Sequence, residues 1–183
     1  MFMKNEMREK LMKVAVGYTL PRYKALPRVG LYLEQTVKLI NTYLAPFDSM
    51  QLTTSMVSNY VKKKMIEGPE KKQYYEQHIS RLLFIAMTKS VLSLDDIGML
   101  IALQDKTYAI DVAYDYLCEE FENVLNYTFG FTDELNEVGN TDTEVKDLFT
   151  NTITTIVNKI YLDEYIKIYR SERLPETFGT AAQ

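Results

Sequence analysis

Between Val145 and Tyr169 the apolar side chains Leu148, Phe149, Ile156, Ile160, Tyr161, Tyr165 and Ile168 recur every three to four residues, with Thr152 in line. A stripe of this kind stays on one side of a chain only if the chain is an α-helix, here about seven turns long. The run Ile153 to Tyr161 is rich in Thr, Ile and Val and by local propensity alone would suit a strand. The helical period overrides it, because a strand would send alternate members of the stripe to opposite faces. A helix this long also has more apolar surface than one small domain can cover, which predicts a partner.

The same period recurs upstream. Leu31, Val37, Ile40 and Leu44 form a stripe that Pro46 ends, and Thr53 or Thr54 can cap a short helix through Met56, Val57, Tyr60 and Val61. Gly68-Pro69 marks a turn, and Ile79, Leu82, Leu83, Ile85, Ala86 and Met87 are the apolar side of a further helix. Ser93 heads another, with Asp95 and Asp96 in the first turn, where carboxylates favour the helix dipole. The periodicities predict helices over 31–44, 53–64, 76–91, 93–104, 107–127 (to a break at Gly130) and 142–170 (to Pro175), with any strand confined to 66–75. Residues 1–30 read as a charged stretch followed by LPRYKALPRVG, whose prolines forbid a continuous helix. The expected class is therefore all-α: an N-terminal extension over 1–30, a small helical domain over 31–104, and a helical region over 105–183.

With 46% hydrophobic residues among 183, the chain can bury a core without disulfides or metals. Its single cysteine, Cys118, excludes an internal disulfide and points to a reducing compartment. No stretch is apolar enough to span a bilayer, and Lys13 interrupts what would be the core of a secretory signal. A soluble cytoplasmic protein with no membrane contact is the expectation. The formal charge of −4 hides an uneven distribution. Residues 1–51 carry eight Lys/Arg against four Asp/Glu, residues 52–92 seven against three, and residues 93–183 six against eighteen. A basic half can meet an anionic partner while an acidic half keeps the whole dispersed.

The stretch from Leu52 to Leu103 resembles the MerR-like winged helix-turn-helix unit. Tyr60, Lys62, Lys63, Met65 and Ile66 take the places at the end of that unit's recognition helix. Pro69, Lys71, Lys72 and Tyr74 stand where a short or vestigial wing would be, and Ile79, Leu82, Phe84, Ile85 and SLDDIGMLIAL match the two helices that follow. With LPRYKALP and LYLEQTVKLINTYL, the chain is also similar to a family of small Gram-positive bacterial proteins with no assigned function. It departs from the MerR pattern in having Ser55 and Ser58 where arginines are usual, and a longer connection between the first two helices. The resemblance implies a dimeric transcriptional regulator that binds duplex DNA. Thr53, Thr54, Ser55, Ser58 and Asn59 would supply the polar side chains of the helix in the groove, Lys62, Lys63, Lys64, Lys71, Lys72 and Tyr74 would contact phosphates, and Tyr60 would also belong to the DNA-binding set. The other reading of these lysines is a solvated helix end and turn, and of the chain, a helical adaptor that keeps the fold without DNA contact.

No phosphate loop, triad order or metal-ligand spacing is present, so neither an enzyme nor a cofactor is expected. His78, the only histidine, has no nucleophile or carboxylate to work with and reads as structural. Cys118 reads as a small buried hydrophobe, and Glu119, Glu120 and Glu122 as a solvated face. The aromatic residues after position 107 suit a dimer face, an intrachain core, or a pocket for a small-molecule effector.

Overall fold

The computed structural model of the chain describes residues 2–139 and 143–173. The long stripe is one helix, α7, Glu144–Arg173; its expected first residue, 142, and the expected stop at Pro175 lie outside the described residues. Before it come α1 (Phe2–Ala15), β1 (Leu31–Tyr32), α2 (Leu33–Tyr43), α3 (Thr54–Lys62), β2 (Gln73–Tyr74), α4 (Glu76–Thr88), α5 (Leu94–Thr107) and α6 (Ile110–Phe129). Single 3-10 turns occupy Tyr23–Ala25 and Asp48–Met50. The protein is mostly helical, as the periodicities predict.

Two elements differ from expectation. The first is α1, in the stretch read as merely charged. Its buried residues Met7, Leu11 and Ala15 are four apart, which makes a stripe one residue wide among lysines and glutamates. So narrow a stripe is a faint signal, and the helix gains its stability by packing on α6 and α7. The second is β1. The sequence places strand structure only within 66–75, whereas β2 pairs antiparallel with Leu31 and Tyr32, Leu31 opposite Tyr74 and Tyr32 opposite Gln73. By period these two residues belong to the first turn of a helix. Gly30 permits the pairing, because a Cβ there would stand 2.7 Å from Gln73 Oε1. The extended run then stops at once: the Tyr32 N–H donates to Gln35 Oε1 at 2.9 Å, which caps α2.

The core is organised around α4. Every residue from His78 to Thr88 except Arg81 is buried, and a helix apolar on all sides must be surrounded. α2, β2, α6 and α7 do so, and each large side chain buried there contributes about 1.5–3 kcal/mol. One continuous cluster of buried apolar side chains runs from Met7 to Ile160, so the three expected segments share a core. Where the chain changes direction, three rings meet edge to face. Tyr18 lies 4.8 Å from Phe47 and 6.0 Å from Phe121, and Phe47 lies 5.9 Å from Phe121.

The proline segment has no ladder to satisfy its backbone, and side chains of α6 serve instead. Glu122 accepts from the Leu20 N–H at 2.8 Å and from both Arg22 guanidinium nitrogens at 2.7 and 2.8 Å. Asp115 accepts from the Tyr23 N–H at 2.7 Å, and the Tyr114 hydroxyl donates to the Pro21 carbonyl at 3.0 Å. α6 ends at Gly130, φ +81°, with the Phe131 N–H bonding back to Asn126 O at 2.8 Å. Glycine occupies the left-handed position that such a helix end requires. No described helix is long and apolar enough to cross a membrane.

Candidate nucleic-acid interface

Thr53 sets the start of α3: its Oγ1 accepts from the Met56 N–H at 3.2 Å. The helix buries Val57 and Tyr60 against the core and leaves Thr54, Ser55, Ser58, Asn59 and Lys62 exposed. From Ser55, the residues Ser58, Asn59 and Lys62 are three, four and seven positions along, which places all four on one face. The Ser58 hydroxyl donates to the Thr54 carbonyl at 2.9 Å, so its free capacity is as an acceptor.

The helix ends as α6 does, with one difference. The Met65 N–H bonds to Tyr60 O at 3.0 Å and the Lys64 N–H to Val61 O at 2.9 Å. The left-handed position, glycine in α6, is here Lys64 at φ +57°. The chain then descends through the buried Met65 and Ile66 to a two-residue hairpin. Glu70 and Gln73 exchange both backbone hydrogen bonds, at 3.0 and 2.9 Å. Between them Lys71 and Lys72 sit at φ +49° and +69°. Two successive positive φ values define a type I′ turn, for which Asn-Gly is the favoured pair. A lysine in this region is strained by roughly 1–2 kcal/mol through contact of its Cβ with the backbone. The segment is thus a minimal hairpin with two exposed lysines at its tip, inside the 66–75 stretch where the sequence places strand structure.

His78 fastens the hairpin to α4. Its Nδ1 accepts from the Tyr75 N–H at 3.0 Å and its Nε2 lies 3.3 Å from the Gly68 carbonyl. Its ring meets that of Tyr74 edge-on at 5.6 Å. The structural reading of the one histidine agrees with this geometry: it is 2% exposed and fully engaged. Nearby, Arg81 donates to Gln104 Oε1 at 2.6 Å and pairs with Asp105, so its charge is used inside the protein.

Of the twelve residues expected at an interface, ten are exposed: Thr53, Thr54, Ser55, Ser58, Asn59, Lys62, Lys63, Lys64, Lys71 and Lys72. Tyr60 and Tyr74 are not. Each is 4% exposed and belongs to the core, because helical spacing puts Tyr60 beside Val57 and because Tyr74 faces Leu31 and His78. Neither can lie along a phosphate backbone. Over 53–74 five lysines face two acids, Glu67 and Glu70, so the surface is net positive.

The remaining candidates are structural. Cys118 is wholly buried, with Sγ 3.8 Å from the Pro21 carbonyl, and burial pushes its thiol up to about 12, far from reactive thiolate. The acidic cluster is not a solvated face. Glu119 is exposed, but Glu120 is buried, which raises its carboxyl pKa, and Glu122 holds Arg22. Among the described residues no group of three or more His, Cys, Asp or Glu side chains could hold a metal ion. Sequence reasoning missed the Arg22, Asp115 and Glu122 contacts, which join residues about a hundred positions apart and leave no local pattern.

The fold and this site define a mostly helical protein carrying a strand, a helix pair and a lysine-tipped hairpin in that order. Residues 21–117, just over half of the chain, match a domain of unknown function, DUF1836, and the chain belongs to that family. The matched segment runs from the bolted Pro21 into α6, and leaves α1 and α7 outside it. No curated protein and no solved structure matches the chain.

Proposed function

We propose that the protein is a DNA-binding transcriptional regulator of MerR-like winged-helix type, acting as a two-fold dimer and not as an enzyme. The observation that carries this reading is the lysine pair at the hairpin tip. Strain at exposed positions where Asn-Gly would relieve it supports a use for the two charges, since backbone outliers of this kind cluster at functional sites. Two further features support it. The order strand, helix, helix, hairpin, with the first strand paired to the returning hairpin strand, is compatible with a winged unit. The polar face of α3, made by Ser55, Ser58, Asn59 and Lys62, has the short side chains that a helix in a major groove needs.

A salt-titrated binding assay on fragments of duplex DNA tests the proposal. Lys62→Ala with Lys63→Ala should weaken binding on all sequences alike and reduce the slope of log affinity against log salt by about one per lost phosphate contact. Changes at Ser55 or Asn59 should alter which sequence is preferred. No binding at about 50 mM salt, or equal binding by the lysine variant, would favour the adaptor reading.

The dimer is supported by the second half of α7. Leu162, Tyr165, Ile166 and Tyr169 are 53%, 40%, 38% and 40% exposed and lie on one helical face. Beside this face Lys159 pairs with Asp163, and Lys167 with Glu164 and Asp48, within the chain, so its flanks are electrically balanced and do not repel a second copy laid antiparallel, as a self-complementary two-fold interface needs. Light scattering is expected to give twice the 21.3 kDa chain mass, and Leu162→Glu with Ile166→Glu to return a monomer. A wild-type particle of one chain mass at micromolar concentration would remove the dimer from the proposal.

A further inference from the structure

Between the end of α5, the first half of α6 and the start of α7 lies a cavity of about 420 Å³. That is within the range of small-molecule sites. Three aromatic rings line it, Tyr108, Tyr116 and Phe149. The hydroxyls of Tyr108 and Tyr116 are engaged by protein partners, Thr143 Oγ1 at 3.4 Å and Thr150 Oγ1 at 2.7 Å. The rings are therefore oriented by bonds at their far ends and offer carbon surface to an occupant.

The charges at the walls are unequal. Asp115, Glu119 and Lys146 all line the cavity. Lys146 is already satisfied by the protein: its Nζ lies 3.2 Å from the Gly139 carbonyl and 3.5 Å from Glu137 Oε1, with the buried Glu120 carboxyl interacting as well. It is not waiting for an anion. Asp115 uses Oδ1 for the Tyr23 N–H, and its Oδ2 has no hydrogen-bond partner among the described residues. Glu119 is exposed and makes no direct ion pair among the described residues; it interacts through space with Arg22, whose guanidinium is already held by Glu122. Aromatic faces beside carboxylates that lack a direct cation partner attract positive charge that is attached to apolar surface.

We propose that this cavity binds a hydrophobic organic cation, a ligand of two or three rings bearing an ammonium group, with the rings between Tyr108, Tyr116 and Phe149 and the charge toward Asp115 and Glu119. The proposal does not depend on DNA binding. Titration calorimetry on the full chain tests it with three probes: 1-naphthylmethylammonium, the equally shaped anion 1-naphthylacetate, and methylammonium, which has the charge without the rings. The cation with rings is expected to bind at least about tenfold more tightly than either of the others. Glu119→Gln, at an exposed position, should weaken it by about threefold or more, and Ala113→Leu, which fills the cavity from α6, should abolish it. Equal binding of the anion or of methylammonium, unchanged affinity in Glu119→Gln, or no binding at millimolar concentration would overturn the proposal. If Ala113→Leu lowers the melting temperature, the Glu119 variant carries the test alone.

Discussion

Phe121→Ala is expected to destabilise the protein by about 3–5 kcal/mol, a large part of the margin by which a domain of this size stays folded. Phe121 is wholly buried in α6 and its ring is edge-on to both Tyr18 and Phe47. Those rings come from the segment after α1 and from the loop between α2 and α3, so truncation opens a void where three parts of the chain converge. Collapse into it is opposed where Tyr18 is held by its hydroxyl on the Tyr43 carbonyl at 2.9 Å and where Glu122, the next residue of α6, holds Leu20 and Arg22. Urea unfolding followed by helix circular dichroism measures the change. The control is Tyr127→Ala, 46% exposed on the same helix, for which the expected change is under about 0.5 kcal/mol. A Phe121 variant within about 1 kcal/mol of wild type would mean that the ring cluster does not organise this junction.

Exchange of Lys71-Lys72 for Asn-Gly should move stability and DNA affinity in opposite directions. At φ +49° and +69° the lysines hold a conformation that the new pair adopts readily, so the unfolding free energy is expected to rise by about 1–2 kcal/mol. The same exchange removes two positive charges from the tip. If both meet phosphates, affinity at about 0.1 M salt should drop on the order of fiftyfold and the salt slope by about two. The sign of the stability change makes the experiment decisive, because a more stable protein cannot have lost binding by unfolding. Unchanged DNA affinity in the stabilised variant would detach the hairpin from the proposed function.

The helices are legible in the sequence because their stripes are wide. α7 repeats its stripe for most of its length, so that the period settles the element, and α4, apolar on every side, is legible by the length of its apolar run. Ser93 and Thr53 are legible as caps because a short hydroxyl before an apolar run has one common use. α1 is not, since Met7, Leu11 and Ala15 make sense only once α6 and α7 are there to cover them. β1 is not either, because two residues show no alternation and their pairing depends on a partner some forty positions away. At the candidate site the exposed polar residues of α3 can be named from spacing, whereas the burial of Tyr60 and Tyr74 follows from packing that spacing does not contain. The type I′ turn is hidden because Lys-Lys carries none of the Gly or Asn signal by which such turns are recognised.

The placement of α1 bears on the order in which the molecule assembles. Its partners, α6 and α7, begin at Ile110 and Glu144, so its apolar stripe has nothing to close against until about a hundred further residues have been organised. The inner helices can gather on α4 through contacts of shorter loop length, so docking of α1, with its Lys10 to Glu172 pair, is expected to complete the structure last. Helical proteins usually fold fast because their contacts are local, and this one has a long-range closure built into it. Residues 2–15 should accordingly exchange their amide hydrogens earlier than α4 does, as the part of the native protein that opens first.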